Sequence, residues 1–105
     1  MKALVNGREA GSKEMGCALC GATWGNHHEE VEGERLFFCC DLCAAGFRRT
    51  VEEIKRRTGW DYIDEIQLVG NYHAGRTVTA ISGGRSARFY VKFNEDAEIE
   101  TFREE

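Results

Sequence analysis

The chain of 105 residues carries 14 Lys plus Arg against 18 Asp plus Glu, a formal charge of −4, and its length suits one domain and little more. Hydrophobic residues make up 42% of it, too many for a disordered tail, and the longest apolar run, Leu36-Phe37-Phe38-Cys39-Cys40, is far short of the roughly 20 residues of a membrane span. The acidic balance argues against a general nucleic-acid binder, and the lack of an apolar stretch after Met1 implies no secretory signal, hence a cytoplasmic protein.

Within residues 1–16 only Ala3-Leu4-Val5 is apolar enough to join a sheet edge; the rest reads as loop around Gly7, Gly11 and Gly16. Residues 29–38 read as a hairpin, with a turn at Glu32-Gly33-Glu34 and strand formers in Arg35-Leu36-Phe37-Phe38. From Asp41 to Thr58 the pattern is helical. Cys43, Phe47, Val51, Ile54 and Thr58 recur at intervals of four, four, three and four, one face of a period of about 3.6 residues. Asp41 at the start and Arg56-Arg57 at the end suit the helix dipole, and Gly59 followed by Trp60 is a Schellman-type stop.

Residues 61–66 predict one short helical turn capped by Asp61. A β meander follows, with strands over 66–73, 76–82 and 85–93 and a tight turn at Gly83-Gly84. In its third strand Ala87, Phe89, Val91 and Phe93 alternate with Arg88, Tyr90 and Lys92. Over 94–105, Ala97, Ile99 and Thr101 alternate like a fourth strand, while Asn94, Glu95, Asp96 and Glu98 also read as a capped helical turn. A meander gains from another partner, which favours the strand.

All five cysteines lie between residues 17 and 43. An odd number of thiols in a reducing compartment disfavours disulfides and points to metal or redox chemistry. Cys17-Ala18-Leu19-Cys20-Gly21 is a C-x-x-C-G knuckle: two thiolates on a tight turn chelate one ion, and the glycine lets the backbone turn beneath it. In Cys39-Cys40-Asp41-Leu42-Cys43 the last cysteine sits one turn into the helix, so either Cys39 or Cys40 can share its side.

A pair from each cluster puts four sulfurs around one Zn²⁺, the arrangement of a closed structural site. Such a metal contributes on the order of 10–16 kcal/mol in small domains, more than the roughly 5–15 kcal/mol net stability of a typical fold. The cysteine-bearing half is therefore expected to need its metal to fold. With four thiolates and one Zn²⁺ the formal charge becomes −4 − 4 + 2 = −6, still less suited to a polyanion.

Cys-Ala-Leu-Cys-Gly, followed by Val-Glu-Gly-Glu-Arg-Leu-Phe-Phe-Cys-Cys-Asp-Leu-Cys-Ala-Ala-Gly-Phe, resembles the TRASH and YHS families of small treble-clef-like zinc domains over residues 15–57. The resemblance makes Cys17 and Cys20 the knuckle pair, Cys39 and Cys43 the second pair, and Phe38 and Phe47 the aromatics beside them. It also implies Cys39 rather than Cys40 as fourth ligand. The sequence departs from the pattern where Cys40 replaces a polar residue and Ala18 the knuckle proline. With its C-terminal sheet the chain is similar to a small archaeal zinc-binding protein.

Other readings are weaker. Beside five cysteines, His27-His28 read as exposed hairpin-entry residues and His73 as a surface residue at a turn. Thioredoxin-like chemistry needs a helix starting at its first cysteine, and Gly21, Gly25 and Asn26 are poor helix sequence. Arg48, Arg49, Lys55, Arg56, Arg57, Arg85, Arg88 and Lys92, with Tyr90, read as solvated faces interleaved with Glu52 and Glu53 rather than as a nucleic-acid footprint. No triad order, phosphate loop or paired carboxylates are evident, and a fully thiolate-ligated zinc has no open position.

The expected fold is thus α+β in a single domain over 1–105. A zinc knuckle, hairpin and long helix span 15–58, and an antiparallel sheet of three to four strands over 61–105 packs on the helix. Phe47, Val51 and Ile54 should meet Ala87, Phe89, Val91 and Phe93. The expected function is a non-catalytic protein with one Zn²⁺ in a structural site of Cys17, Cys20, Cys39 and Cys43. It engages a protein partner in preference to nucleic acid, with no membrane and no small-molecule substrate. The alternative is a metal sensor or metallochaperone, which the TRASH resemblance implies and for which Cys40 supplies an exchangeable thiolate.

Overall fold

The computed structural model describes residues 1–71 and 74–105. Strands β1 (Lys2–Val5), β2 (Arg8–Ala10), β3 (His27–Val31) and β4 (Glu34–Phe38) precede helix α1 (Asp41–Thr58), and β5 (Glu65–Asn71), β6 (Gly75–Ser82), β7 (Arg85–Phe93) and β8 (Ile99–Glu104) follow it. β3 and β4 form the expected hairpin, and the other six strands form one sheet in the order β2-β1-β5-β6-β7-β8. The class is α+β as expected. Tyr72 and His73, which end the first predicted meander strand, lie outside the described residues, and with them the reading of His73 as a surface residue.

The sheet corrects the expectation of three to four antiparallel strands: it has six, and β1 joins β5 in parallel, Ala3 opposite Ile66. Asn6 and Gly7, at φ 51 and 81, make the two-residue left-handed turn that folds β2 back on β1. The Asn6 carboxamide oxygen accepts from the Gly70 N–H at 2.9 Å, which anchors that turn to β5. The short helical turn expected over 61–66 is also absent. Glu65 and Ile66 begin β5, the Asp64 N–H donates to the Ile81 carbonyl at 2.8 Å, and a lone helical turn cannot compete with a ladder. At the other end Asn94 does cap, but it caps a loop: its side-chain oxygen accepts from Asp96 and Glu98 N–H at 2.9 and 3.0 Å, and the chain then enters β8.

The helix matches its reading at both ends. Gly59 at φ 75 donates to the Lys55 carbonyl at 2.8 Å, and half-buried Trp60 folds back on the core. Its buried face is wider than the expected stripe, adding Ala44, Gly46 and Thr50 to Phe47, Val51 and Ile54. At Gly46 the helix approaches its neighbours closely, since a Cβ there would stand 3.1 Å from Leu19 and 3.3 Å from Ala97. Phe47, Val51, Ile54, Phe89, Val91 and Phe93 share one buried cluster, with Ala87 packed at its margin. No helix among the described residues is long and apolar enough to cross a membrane.

Much of the helix's positive charge is engaged within the fold. Arg48 pairs with Glu29 at 3.0 Å and Lys55 with Glu32 at 2.8 Å, tying α1 to the β3–β4 hairpin, and Arg49 donates to the Ala97 carbonyl at 2.9 Å. Burial alone would raise the Glu53 carboxyl, but hydrogen bonds from Arg57 and Arg56 outweigh it and hold the group below its ordinary 4.5. A lowered folded-state pKa contributes stability at neutral pH that is lost as the pH falls through the carboxylate range. Glu53→Gln should therefore flatten the acid side of the stability curve. The effect should be at most about 1 kcal/mol, because the arginines are solvated, and thermal melts from neutral pH downward measure it.

Candidate metal centre

The site grows out of two backbone turns. In the knuckle, the Gly21 N–H donates to the Cys17 carbonyl and the Cys17 N–H to the Ala22 carbonyl, both at 2.8 Å, with Gly21 at φ 80. This closure aims the Leu19 and Cys20 N–H groups at Cys17 Sγ, 3.4 and 3.5 Å away. Donors so placed favour the ionised sulfur. The second half begins where β4 ends. Cys39 is buried, Cys40 is the extended N-cap of α1 at φ −160 and ψ 172, and Cys43 lies in the first helical turn.

Two contacts hold the halves together. The Ala18 N–H donates to the Phe37 carbonyl at 3.0 Å, which docks the knuckle on the hairpin. Gly25, at φ 82, passes so close to Cys39 that a Cβ would overlap the Cys39 carbonyl oxygen, and the Gly25 carbonyl accepts from Lys13 Nζ.

The result is a cluster of Cys17, Cys20, Cys39 and Cys43 whose four sulfurs all lie within 4.8 Å of one another. Cys39 Sγ is 3.5 Å from Cys20 Sγ and 3.4 Å from Cys43 Sγ. A disulfide needs about 2.05 Å, so the described thiols are free. A tetrahedral ion with metal–sulfur bonds of about 2.3 Å sets sulfurs about 3.8 Å apart, and the cluster has this size. Cys40 stands outside the four, its Sγ 3.8 Å from that of Cys39. Cys40 is half-buried at the start of the helix, beside the cluster rather than in it.

The thiols perturb one another strongly. Hydrogen bonds from Cys20 and Cys43 pull Cys17 down to about 2, against the effect of burial. Burial pushes Cys39 up, and hydrogen bonding to Cys17 and Cys20 pushes Cys43 up. One sulfur ionises with its neighbours as donors, and those neighbours then keep their protons. Four thiolates this close need a cation among them, and its arrival would expel the remaining protons.

His27 and His28 do not join the cluster. His27 Nε2 is 2.7 Å from Glu29 Oε2, and the His28 ring meets Phe37 edge-on at 5.5 Å, both half-buried on β3. One residue of the site escaped the sequence reading. Arg76 on β6 is only 5% exposed and donates from its guanidinium to the Leu19 carbonyl at 2.7 Å, inside the knuckle. A signal existed: Arg76, Val78, Ala80 and Ser82 alternate onto one face, so an arginine stood in an apolar row.

Residues 14–105 match the family model described as Ta0938. No curated protein and no solved structure matches the chain.

Proposed function

We propose that this chain, which belongs to the Ta0938 family, is a small non-catalytic zinc-binding protein of one domain, in which residues 15–57 are a TRASH/YHS-type treble-clef-like unit. Cys17, Cys20, Cys39 and Cys43 hold one Zn²⁺, and the bound ion supplies a structural cross-link between knuckle, hairpin and helix. The observation that carries this reading is the convergence of four sulfurs, from segments 19 or more residues apart across Cys20 and Cys39, within 4.8 Å. Four thiolates fill a tetrahedral ion's coordination, which leaves no position for a substrate.

The partner we propose is a protein, met in the cytoplasm. Trp24 and Leu42 are 62% and 46% exposed, and each lies within a few residues of a cluster cysteine; exposed tryptophan is typical of protein interfaces. Most of the cations that a nucleic-acid footprint would need already have ion-pair or ring partners within the chain. Besides the pairs of the helix, Arg85 lies over the Trp60 ring, Arg103 over Tyr90, and Arg57 over Phe102.

A second reading, as metal sensor or metallochaperone, is favoured by Cys40, whose sulfur stands next to Cys39 and offers a route for ligand exchange. Chelator titration followed by circular dichroism separates the two. A structural site gives helix loss in step with zinc loss, whereas a carrier stays folded as its ion leaves. In the same assay Cys40→Ser should keep one zinc per chain at unchanged affinity and Cys39→Ser should not. The reverse pattern would make Cys40 the ligand.

A further inference from the structure

We propose that Arg76 is the fixed countercharge of the thiolate cluster, a positioning residue that sets which ion charge the site prefers. The inference rests on the metal-site reading above. Four thiolates around a divalent ion sum to −4 + 2 = −2, and Cys17 and Cys39 lie in the core at 0% and 4% exposure. Buried charge that is not balanced is costly. Among the described residues Arg76 is the one charged side chain counted in the core, beside Thr50 and Ser82.

Its placement is specific. Arg76 sits opposite Val91 across the β6–β7 ladder, in the row that continues through Val78 opposite Phe89. From there its guanidinium reaches 57 residues back along the chain to the Leu19 carbonyl. Leu19 lies between two of the cluster cysteines, and the N–H of the peptide that carries its carbonyl, that of Cys20, points at Cys17 Sγ at 3.5 Å. A cation on the carbonyl side of that peptide polarises it and strengthens the Cys20 N–H on the other side, so Arg76 acts on the sulfurs both through space and through the Leu19–Cys20 peptide. Its side chain cannot lose its proton under protein conditions, so the charge is constant.

Two substitutions separate charge from scaffolding. Arg76→Lys keeps the charge and one donor; Arg76→Gln keeps a neutral donor. Zinc affinity, read by competition with a chromophoric chelator, should fall about 10- to 100-fold in Arg76→Gln, the range for residues that support metal ligands, and recover largely in Arg76→Lys. The discriminating readout is the reduction potential of iron-substituted protein. With one iron in the four thiolates, the ferrous site is one unit more negative than the ferric. Loss of the countercharge should then shift the ferric-over-ferrous preference about tenfold, which lowers the potential by about 59 mV, and Arg76→Lys should restore it. An unchanged potential in Arg76→Gln, or equal shifts in both variants, overturns the countercharge while leaving the metal site standing. If Arg76→Gln fails to fold, Arg76→Lys decides alone: a lysine can lose its proton where an arginine cannot, so the potential of that variant should fall at alkaline pH while that of the unmodified protein does not, and the same pH dependence in both overturns the countercharge. Failure of unmodified protein to bind zinc or iron at all overturns the metal reading itself.

Discussion

Cys17→Ser should abolish stoichiometric zinc binding and take the helix with it. Cys17 is the fully buried member of the cluster and the sulfur that receives both knuckle N–H donors, so no solvent molecule can easily replace it. Serine is a poor zinc ligand at neutral pH, because its hydroxyl is a far weaker acid than a thiol and keeps its proton, whereas the ion binds the thiolate. Structural zinc is worth on the order of 10–16 kcal/mol to small domains, against a net stability of about 5–15 kcal/mol for a whole fold. Losing even half of the metal's contribution should leave knuckle, hairpin and α1 without a stable arrangement. Far-UV circular dichroism and metal analysis on the same sample measure both consequences. A variant with full helicity and no zinc would show that the shared core suffices without the ion.

Gly25→Ala should cost about 2–4 kcal/mol through two separable terms, a left-handed backbone and a steric overlap. Gly33→Ala isolates the first. Gly33 stands at φ 80 in the β3–β4 turn with nothing within 4 Å of a would-be Cβ, so its substitution should cost only about 1–2 kcal/mol. Gly25 has nearly the same φ, 82, but its Cβ would collide with the carbonyl oxygen of Cys39, and that residue cannot retreat without moving its sulfur. Denaturant melts of the two variants measure the difference, and zinc affinity should drop in Gly25→Ala alone. Equal costs would mean that the chain between knuckle and hairpin shifts freely, and that the close approach is incidental to the site.

Local patterns in the chain determined the elements whose physics is local. The helix from Asp41 to Thr58 follows from a periodic apolar face, an acidic start and a glycine at the end, all interactions within a few residues. The knuckle follows from C-x-x-C-G in the same way, and the Gly83-Gly84 turn from the need for positive φ at both positions, 55 and 83. Asn6-Gly7 carried the same kind of turn signal, but the strands flanking it are only four and three residues long. So short a hairpin is unstable alone, and its β1 is held by a parallel ladder to β5, more than 60 residues distant. The expectation of three to four strands missed that partner for this reason.

The tertiary structure alone decided what depends on contacts distant in sequence. Spacing left Cys39 and Cys40 open as companions of Cys43, and the family resemblance pointed to Cys39. The gathering of Cys39 with Cys17, Cys20 and Cys43 comes from where β4 enters α1 against the knuckle. Arg76 reads as an ordinary strand cation until β6 is laid beneath Leu19. Covalent neighbours and helical turns constrain residues at little entropic cost, so their signature is written in short windows of sequence. A buried charge beside a sulfur cluster is a property of the packed whole, where burial sets the energies and two segments meet only after everything between them has folded.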